Sequence, residues 1–339
     1  MKRLAFSATT LAAALLCASG TAAGAAPGTA GIDAGEHAFV DVTAATLWVE
    51  PNTARDLDAP SLTNPVDLDQ WNANMPDADT RRWLTGKLET QAVLGSEVEV
   101  TEISGQWAHV VVLDQPTPRD DRGYPGWMPV SQLVQNEQFD RRQQDLPWAQ
   151  VTANKAWLTA TPTGMHRQLE ISFNTRLPVL TTTPQALRVA LPDGSIAWLD
   201  RAAADVYAPG EKPDAPTGED LVATAKQFLG LRYLWAGVSA FGFDCSGFTY
   251  SVHRAHGITI PRDAAPQSDS GKDVAVQDLR PGDLLFFAQP GGTGYVHHVG
   301  MYIGNGKMIH SPNAASTVSI VDWQQWDTND EFAGAKRYW

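Results

Sequence analysis

The segment Phe241–Phe248 constrains the fold of this chain most strongly, because it places a thiol between a turn and an apolar helix. A run rich in glycine and serine ends at Gly242, and apolar residues with helical spacing follow until Gly257. Cys245 is therefore predicted in the first turn of a helix. There the unpaired N–H groups and the helix dipole favour an anion, so we expect a lowered thiol pKa and a nucleophilic role. The alternative is an inert buried cysteine.

The N-terminal residues have the pattern of a signal peptide. A positive pair at residues 2–3 precedes an apolar run over residues 4–18, and small residues near position 23 fit a signal-peptidase site. Residues 1–25 are therefore predicted to be removed on export, and the protein to be periplasmic or secreted. The apolar run is too short for a membrane span, and no later run approaches that length. Cys17 leaves a lipid anchor open as an alternative.

Cysteine content and net charge limit the possible role of the thiol and the possible binding partners. The chain has two cysteines, Cys17 and Cys245, so the exported form would keep a single thiol and could form no internal disulfide. A lone thiol in an oxidising compartment indicates catalysis. The net charge of -13 argues against nucleic acid and anionic membrane surfaces as partners.

Two blocks of short β-strands are predicted before the Cys245 segment. The first, residues 38–135, closes on Gly126-Trp127 and contains an insertion at residues 51–84 that is either a functional loop or a short helical excursion. The second, residues 147–206, repeats the pattern and closes on Ala197-Trp198. Each block is predicted to form a small half-open β-barrel.

The C-terminal part is predicted to be an α+β domain. Residues 207–218 are rich in proline and charge and indicate a linker, so residues 219–339 form the domain. Thr217 and Asp220 form a candidate capping pair for its first helix, at residues 221–229. Helices come first and an antiparallel sheet follows, with strands predicted at residues 283–288, 296–303 and 307–310.

Histidines on these strands are candidate bases for Cys245. Side chains alternate along a strand, so His297 and His298 point to opposite faces and only one of them can reach the thiol. His310 ends the neighbouring strand after a glycine-rich hairpin, and one histidine could orient the other. A zinc site is an alternative, since Cys245, two of the histidines and Asp244 are all possible ligands. These candidates lack helical ligand spacing and come from distant segments, so we predict no metal and no cofactor.

Five motifs in this region resemble those of the NlpC papain-like cell-wall peptidases. They cover about the last 120 residues and are highly specific; they are Leu231–Gly237, Phe243–Phe248, Pro261–Asp263, Arg280–Leu284 and His298–Gly304. The two β-blocks resemble bacterial SH3-like barrels. The complete layout resembles the YkfC-like γ-D-glutamyl-L-diamino acid endopeptidases.

The resemblance implies a papain-like α+β fold and assigns catalytic roles. It implies that Cys245 is the nucleophile, His298 the base and His310 the residue that orients the base. It also implies that Tyr233 lies beside the oxyanion site, next to the backbone N–H of Cys245.

The same resemblance implies a set of substrate-binding residues. Asp244 would bind the free amine of an N-terminal L-Ala, Glu89 and Tyr124 from the first barrel would close that pocket, and Ser246 matches a subsite residue. Ala264 departs from the family pattern, because relatives often have serine there, and this puts one substrate hydrogen bond in doubt.

The function implied is a cysteine endopeptidase that cleaves the γ-D-glutamyl-L-diamino acid bond of peptidoglycan stem peptides, acting as a monomer. The second hypothesis is a wall-binding protein with a vestigial catalytic domain, in which the barrels bind glycan or stem peptide and Trp127 and Trp198 are available for stacking. A complete Cys-His-His set argues against that hypothesis. The sequence does not distinguish between diamino acids, or between recycling, remodelling and attack on other cells.

Overall fold

The computed structural model describes residues 32–339. The predicted signal peptide and Cys17 lie outside the described residues. Within residues 32–339 no helix combines the length and the apolar character needed to cross a membrane.

The first β-domain is a seven-stranded antiparallel sheet. Its strands β1 to β7 are His37–Val40, Ala44–Trp48, Leu88–Val93, Glu97–Ser104, Trp107–Val112, Tyr124–Pro129 and Leu133–Val134. Their spatial order is β3-β2-β6-β5-β4-β1-β7, which leaves β3 and β7 at the edges, as a half-open barrel requires. In β4 the side chains of Val98 and Val100 are buried while Glu97 and Glu99 are partly exposed, because successive side chains point to opposite faces.

The insertion between β2 and β3 is helical, which agrees with the second of the two predicted alternatives. It contains a 3₁₀ helix at Asp56–Ser61 and the short helices α1 (Leu68–Ala73) and α2 (Ala78–Arg82). Asp67 and Asp77 begin the two α-helices, each accepting a hydrogen bond from a backbone N–H of the first turn.

The second β-domain repeats the arrangement of the first. Helix α3 (Glu137–Asp145) precedes it, and its strands β8 to β14 are Trp148–Val151, Lys155–Thr159, Arg167–Ser172, Arg176–Thr182, Ala186–Ala190, Ile196–Asp200 and Ala204–Tyr207. The spatial order is β10-β9-β13-β12-β11-β8-β14, which equals the order in the first sheet when seven is added to each strand number. A hairpin joins β12 and β13, and Gly194 there has a φ of 88°, which glycine adopts without steric cost.

The C-terminal domain has α+β order, as predicted. Its helices α4 to α7 are Gly218–Lys226, Cys245–Ala255, Ala264–Asp269 and Trp323–Trp326. A two-stranded hairpin of β15 (Val238–Ser239) and β16 (Gly242–Phe243) precedes α5. The main sheet has the order β17-β22-β18-β19-β20-β21, and its strands β17 to β22 are Lys272–Asp273, Leu284–Gln289, Tyr295–Gly304, Lys307–His310, Ser319–Asp322 and Phe332–Arg337.

The three predicted strands are present in this sheet as β18, β19 and β20. The predicted capping pair is also present, since Thr217 and Asp220 form a reciprocal capping box at the start of α4. Strands β17, β21 and β22 were not predicted. The exact domain boundaries stay predictions.

The first β-domain and the C-terminal domain share a hydrophobic core. Trp71 and Met75 of the insertion are buried in one cluster with Leu234 and Phe241. Hydrogen bonds cross the same boundary, from Asn72 Nδ2 to the carbonyl oxygen of Phe241 (2.8 Å) and from Arg81 Nε to that of Ala314 (2.8 Å). The insertion therefore fixes the first β-domain against the loops that surround Cys245.

Helix α5 is held very close to the backbone of the preceding loop. Gly247 lies in its first turn, and a Cβ atom there would be 2.1 Å from the carbonyl oxygen of Gly237. A glycine is therefore required for α5, and Cys245 with it, to occupy this position.

We expect Gly247→Ala to destabilise the protein by about 1–3 kcal/mol or more, because α5 must move away from Gly237. Thermal unfolding followed by circular dichroism should show a melting temperature several degrees lower. An unchanged melting temperature would contradict the close approach of α5 to Gly237.

Candidate active site

One cavity of about 780 Å³ brings together most of the predicted site residues. Its walls come from the first β-domain, from α5 and from the loops at one end of the main sheet. The predicted residues that line it are Glu89, Tyr124, Tyr233, Asp244, Cys245, Ser246 and His298. His310 lies behind His298, outside the cavity wall.

Cys245 and the two histidines come from three elements that pack together. Cys245 is the first residue of α5, which packs against β19, the strand that carries His298. His298 Nε2 lies 2.9 Å from Nδ1 of His310 on β20. β19 approaches β20 closely at Gly300, because a Cβ there would lie 2.8 Å from Sδ of Met308 and 3.2 Å from Cβ of His310. The predicted alternation also holds, since His298 is buried while His297 turns to Glu331 at the cavity rim.

Trp326 covers the histidine pair, and sequence reasoning did not find it. Its ring centroid lies 4.9 Å from that of His298 and 5.0 Å from that of His310. Trp326 also packs edge-on against Phe287 from the neighbouring strand β18. The indole therefore keeps water away from the pair and fixes both rings. The sequence around Trp326 has no strong helix or strand pattern, so only the aromatic character of the residue could have indicated a role.

The expectation of a lowered pKa for Cys245 is wrong. Burial, followed by the negative charge of Asp244, raises the pKa of the thiol to about 12, and backbone N–H groups of Val299 and Ser246 oppose this shift. The position at the N-terminus of α5 therefore does not by itself produce a thiolate. At neutral pH Cys245 carries its proton and needs a base to remove it.

The two histidines are neutral for the same physical reason. Burial, followed by the neighbouring His310 and His297, holds the pKa of His298 well below its ordinary value. Burial lowers the pKa of His310 to about 4. A neutral imidazole can accept a proton, so His298 is in the protonation state that a general base requires.

Tyr233 lies beside the thiol. Its backbone pairs with Phe243, two residues before Cys245, and its side chain lines the cavity. Burial, followed by the charge that Cys245 can carry, raises the pKa of the Tyr233 phenol well above its ordinary value. The hydroxyl group therefore stays protonated and can donate a hydrogen bond.

Asp244 has two structural partners. Its carboxylate accepts a hydrogen bond from the backbone N–H of Gly247 (2.6 Å), which makes it the N-cap of α5. Arg262, which is 0% exposed, forms a two-pronged ion pair with it, at 3.1 Å and 2.8 Å. Arg262 also donates to Oγ of Ser246 (3.0 Å) and to Oγ1 of Thr90 in the first β-domain (3.0 Å).

Glu89 and Tyr124 lie together at one end of the cavity, with two residues to which the sequence analysis gave no role. The Tyr124 hydroxyl donates to Oδ2 of Asp263 (2.8 Å). Arg119 forms a two-pronged ion pair with Glu89 and lies over the Tyr124 ring, 5.3 Å from its centroid. Asp263 lies in the family motif Pro261–Asp263, so the sequence offered a signal for it. Arg119 lies in a loop without a motif, so the sequence offered none.

The described side chains of this site are not arranged as metal ligands. Among the described residues no group of three or more histidine, cysteine, aspartate or glutamate side chains is arranged to hold a metal ion.

The comparisons with known proteins agree with this arrangement. Residues 230–337 match the NlpC/P60 family, and residues 151–207 match the YKFC SH3b2 domain. A Bacillus cereus protein called gamma-D-glutamyl-L-lysine dipeptidyl-peptidase is 50% identical over 303 residues, which are 89% of this chain and 90% of the relative. The chain belongs to the NlpC/P60 family.

Further comparisons extend the relationship over nearly the whole described region. A Bacillus subtilis gamma-D-glutamyl-L-lysine dipeptidyl-peptidase is 36% identical over 294 residues, which are 86% of this chain and 96% of the relative. The crystal structure of an NlpC/P60 family protein from Bacillus cereus superposes with a TM-score of 0.86 at 49% identity, covering 89% of this chain and 99% of that one. The predicted fold, two SH3-like domains before an NlpC-type peptidase domain, is confirmed.

We expect His298 to titrate well below an ordinary histidine, and His310 near pH 4. The measurement is the imidazole ¹⁵N shift as a function of pH, assigned with single His→Gln variants. Since the unfolded chain takes up these protons near pH 6.5 and the folded chain only at lower pH, the free energy of unfolding should decrease as pH falls from 6.5 towards 4. Midpoints at or above pH 6.5 would contradict the burial of the pair.

Proposed function

We propose that this chain is an exported cysteine peptidase that hydrolyses the bond between γ-D-glutamate and an L-diamino acid in peptidoglycan stem peptides. The observation that carries the proposal is the association of Cys245, His298 and His310 at one cavity. The names of the two relatives support the choice of bond and point to L-lysine as the diamino acid.

The attack begins with proton transfer from Cys245 to His298. His298 uses Nε2 for His310, so Nδ1 is the nitrogen available to the thiol. Sγ forms a bond to the γ-carbonyl carbon of D-Glu, and the carbonyl oxygen becomes an oxyanion. The Tyr233 hydroxyl and the backbone N–H of Cys245 stabilise that charge.

His298 then completes the reaction. It gives its proton to the departing amine of the diamino acid as the C–N bond breaks, which leaves a thioester on Cys245. Water, deprotonated by the same imidazole, attacks the thioester and releases the N-terminal dipeptide. His310 holds the ring of His298, and Trp326 excludes water from the pair.

The charges at one end of the cavity support recognition of a single ammonium group. Asp244, Asp263 and Glu89 provide three carboxylates, and Arg262 and Arg119 provide two guanidinium groups, so one negative charge is left over. Asp263 is the least compensated, since Arg262 Nη1 lies 3.8 Å from it and forms its close ion pair with Asp244. We therefore assign the amine of the N-terminal L-Ala to Asp263, where the sequence analysis assigned it to Asp244.

The first β-domain limits the length of the substrate. Glu89 and Tyr124 form the wall beyond Asp263, so a peptide whose L-Ala is still joined to muramic acid would meet protein there. The enzyme would then act on freed peptides, in turnover or recycling of the wall. Release of a dipeptide from a free N-terminus also agrees with the names of both relatives.

The wall-binding alternative has less support. Trp127 packs edge-on against His109, with 5.1 Å between ring centroids, so part of its surface is used within the protein. A vestigial domain would also have no reason to keep Cys245, His298 and His310 in a buried, paired arrangement.

We expect Cys245→Ala to abolish hydrolysis of L-Ala-γ-D-Glu-L-Lys, because no other group can form the thioester. Mass spectrometry of the products measures this directly. The melting temperature should change little, since the substitution removes one sulfur atom from a partly exposed position. Turnover by Cys245→Ala at the wild-type rate would disprove the proposed chemistry.

We expect acetylation of the substrate amine to lower kcat/KM by roughly 10-fold or more, because the charge-assisted hydrogen bond that is lost to the partly exposed Asp263 is worth about 1.5–3 kcal/mol. Asp263→Asn should remove most of this preference for the free amine. The exposed Asp269→Asn is the matched control and should keep it. Equal rates on free and acetylated tripeptide with the wild-type enzyme would refute the closed amine pocket.

A further inference from the structure

The proton transfer in the proposed reaction determines which part of the cavity receives the departing diamino acid. His298 must give its proton to the departing nitrogen, so that residue lies on the His298 side of Cys245, away from Asp263 and Tyr124. The cavity wall there consists of the start of β19 and the loop after Trp326. This step rests on the proposed function.

Glu331 is a charged residue of that wall whose side chain is held by several neighbours. The residue is 8% exposed, and its carboxylate accepts hydrogen bonds from Gln289 Nε2 (2.8 Å), Asn329 Nδ2 (3.2 Å) and His297 Nε2 (3.0 Å). Burial disfavours the charged form, but these hydrogen bonds outweigh burial and lower the pKa of the carboxyl group. Glu331 is therefore a carboxylate held in place on the wall of the cavity that His298 also lines.

Among residues 32–339 no arginine or lysine forms an ion pair with the Glu331 carboxylate, whose ion-pair partner is His297. Arg82 is the one arginine or lysine among the described residues that line the cavity; it comes from the insertion of the first β-domain and pairs with Asp79. The opposite end differs, because two arginines there neutralise most of the negative charge.

A second and independent feature of the same wall is Tyr295. It is 72% exposed, the highest value among the exposed large hydrophobic residues of the described chain, although it belongs to a strand that lines the cavity. An aromatic ring left in water next to a reactive site gains contact area when an aliphatic chain lies along it.

We propose that Glu331 binds the side-chain ammonium of the departing diamino acid, and that Tyr295 packs along the methylene chain that carries this ammonium. Glu331 is then a specificity-determining residue, which selects a leaving residue with a second amine. The protein would thus bind one ammonium group on each side of the cleavable bond, Asp263 binding the first and Glu331 the second.

The test compares L-Ala-γ-D-Glu-L-Lys with L-Ala-γ-D-Glu-L-norleucine, whose leaving residue lacks only the side-chain ammonium. The wild-type enzyme should cleave the lysine peptide with a kcat/KM at least 10-fold higher, as expected for a charge-assisted contact. Glu331→Gln keeps the shape of the side chain and should reduce this ratio to about threefold or less. The control Glu219→Gln, at an exposed position on α4, should keep the wild-type ratio.

Each outcome has a definite meaning. Equal cleavage of both peptides by the wild-type enzyme overturns the role of Glu331, and it does so without any variant having to fold. A full lysine preference retained by folded Glu331→Gln overturns the role as well. Failure of the wild-type enzyme to cleave either peptide overturns the proposed function, and this inference with it.

Discussion

The ion pair between Asp244 and Arg262 is the interaction on which the rest of the site depends. Arg262 is completely buried, and its guanidinium group reaches the N-cap of the nucleophile helix, Ser246 beside the thiol and Thr90 in the first β-domain. Removing either charge would leave the other desolvated and unpaired, which is far more costly than losing an exposed pair. One buried arginine therefore joins the start of α5 to the neighbouring domain.

The dependence on a second domain extends to the shape of the cavity. The insertion between β2 and β3 shares a hydrophobic core with Leu234 and Phe241, and Arg81 of the insertion bonds to the loop at Ala314. Glu89 and Tyr124 of the same domain line one end of the cavity. The Cys245 side of the cavity and this end are thus supplied by different domains, whose relative position is held by apolar burial and by hydrogen bonds between buried groups.

Burial also decides the resting state of the catalytic groups. A helix N-terminus lowers the pKa of a thiol when the thiol is solvated or faces a cation. Cys245 instead is largely screened from water and lies beside the carboxylate of Asp244, and both effects favour the neutral thiol. His298 is neutral for the same reason, so the proton has to move within the Cys245–His298 pair during attack.

Strong local patterns in the sequence predicted their elements well. Strands β18, β19 and β20, the Thr217–Asp220 capping box and the helix that carries Cys245 in its first turn were all predicted from local sequence. Strand β22 was missed because Phe332–Arg337 contains alanine and glycine and pairs only with distant strands. Edge strand β21 is short and half-exposed, so its sequence carries no apolar alternation.

The sequence by itself showed the family and predicted Cys245, His298 and His310 as the catalytic residues, because those residues lie in motifs whose local geometry is encoded by neighbouring residues. Only the tertiary structure decided which carboxylates remain uncompensated. Arg262 neutralises Asp244, Arg119 neutralises Glu89, and Trp326 seals the histidine pair, in each case from a different segment of the chain. Charge compensation and desolvation depend on which distant groups meet, and the spacing of residues along the chain does not contain that information.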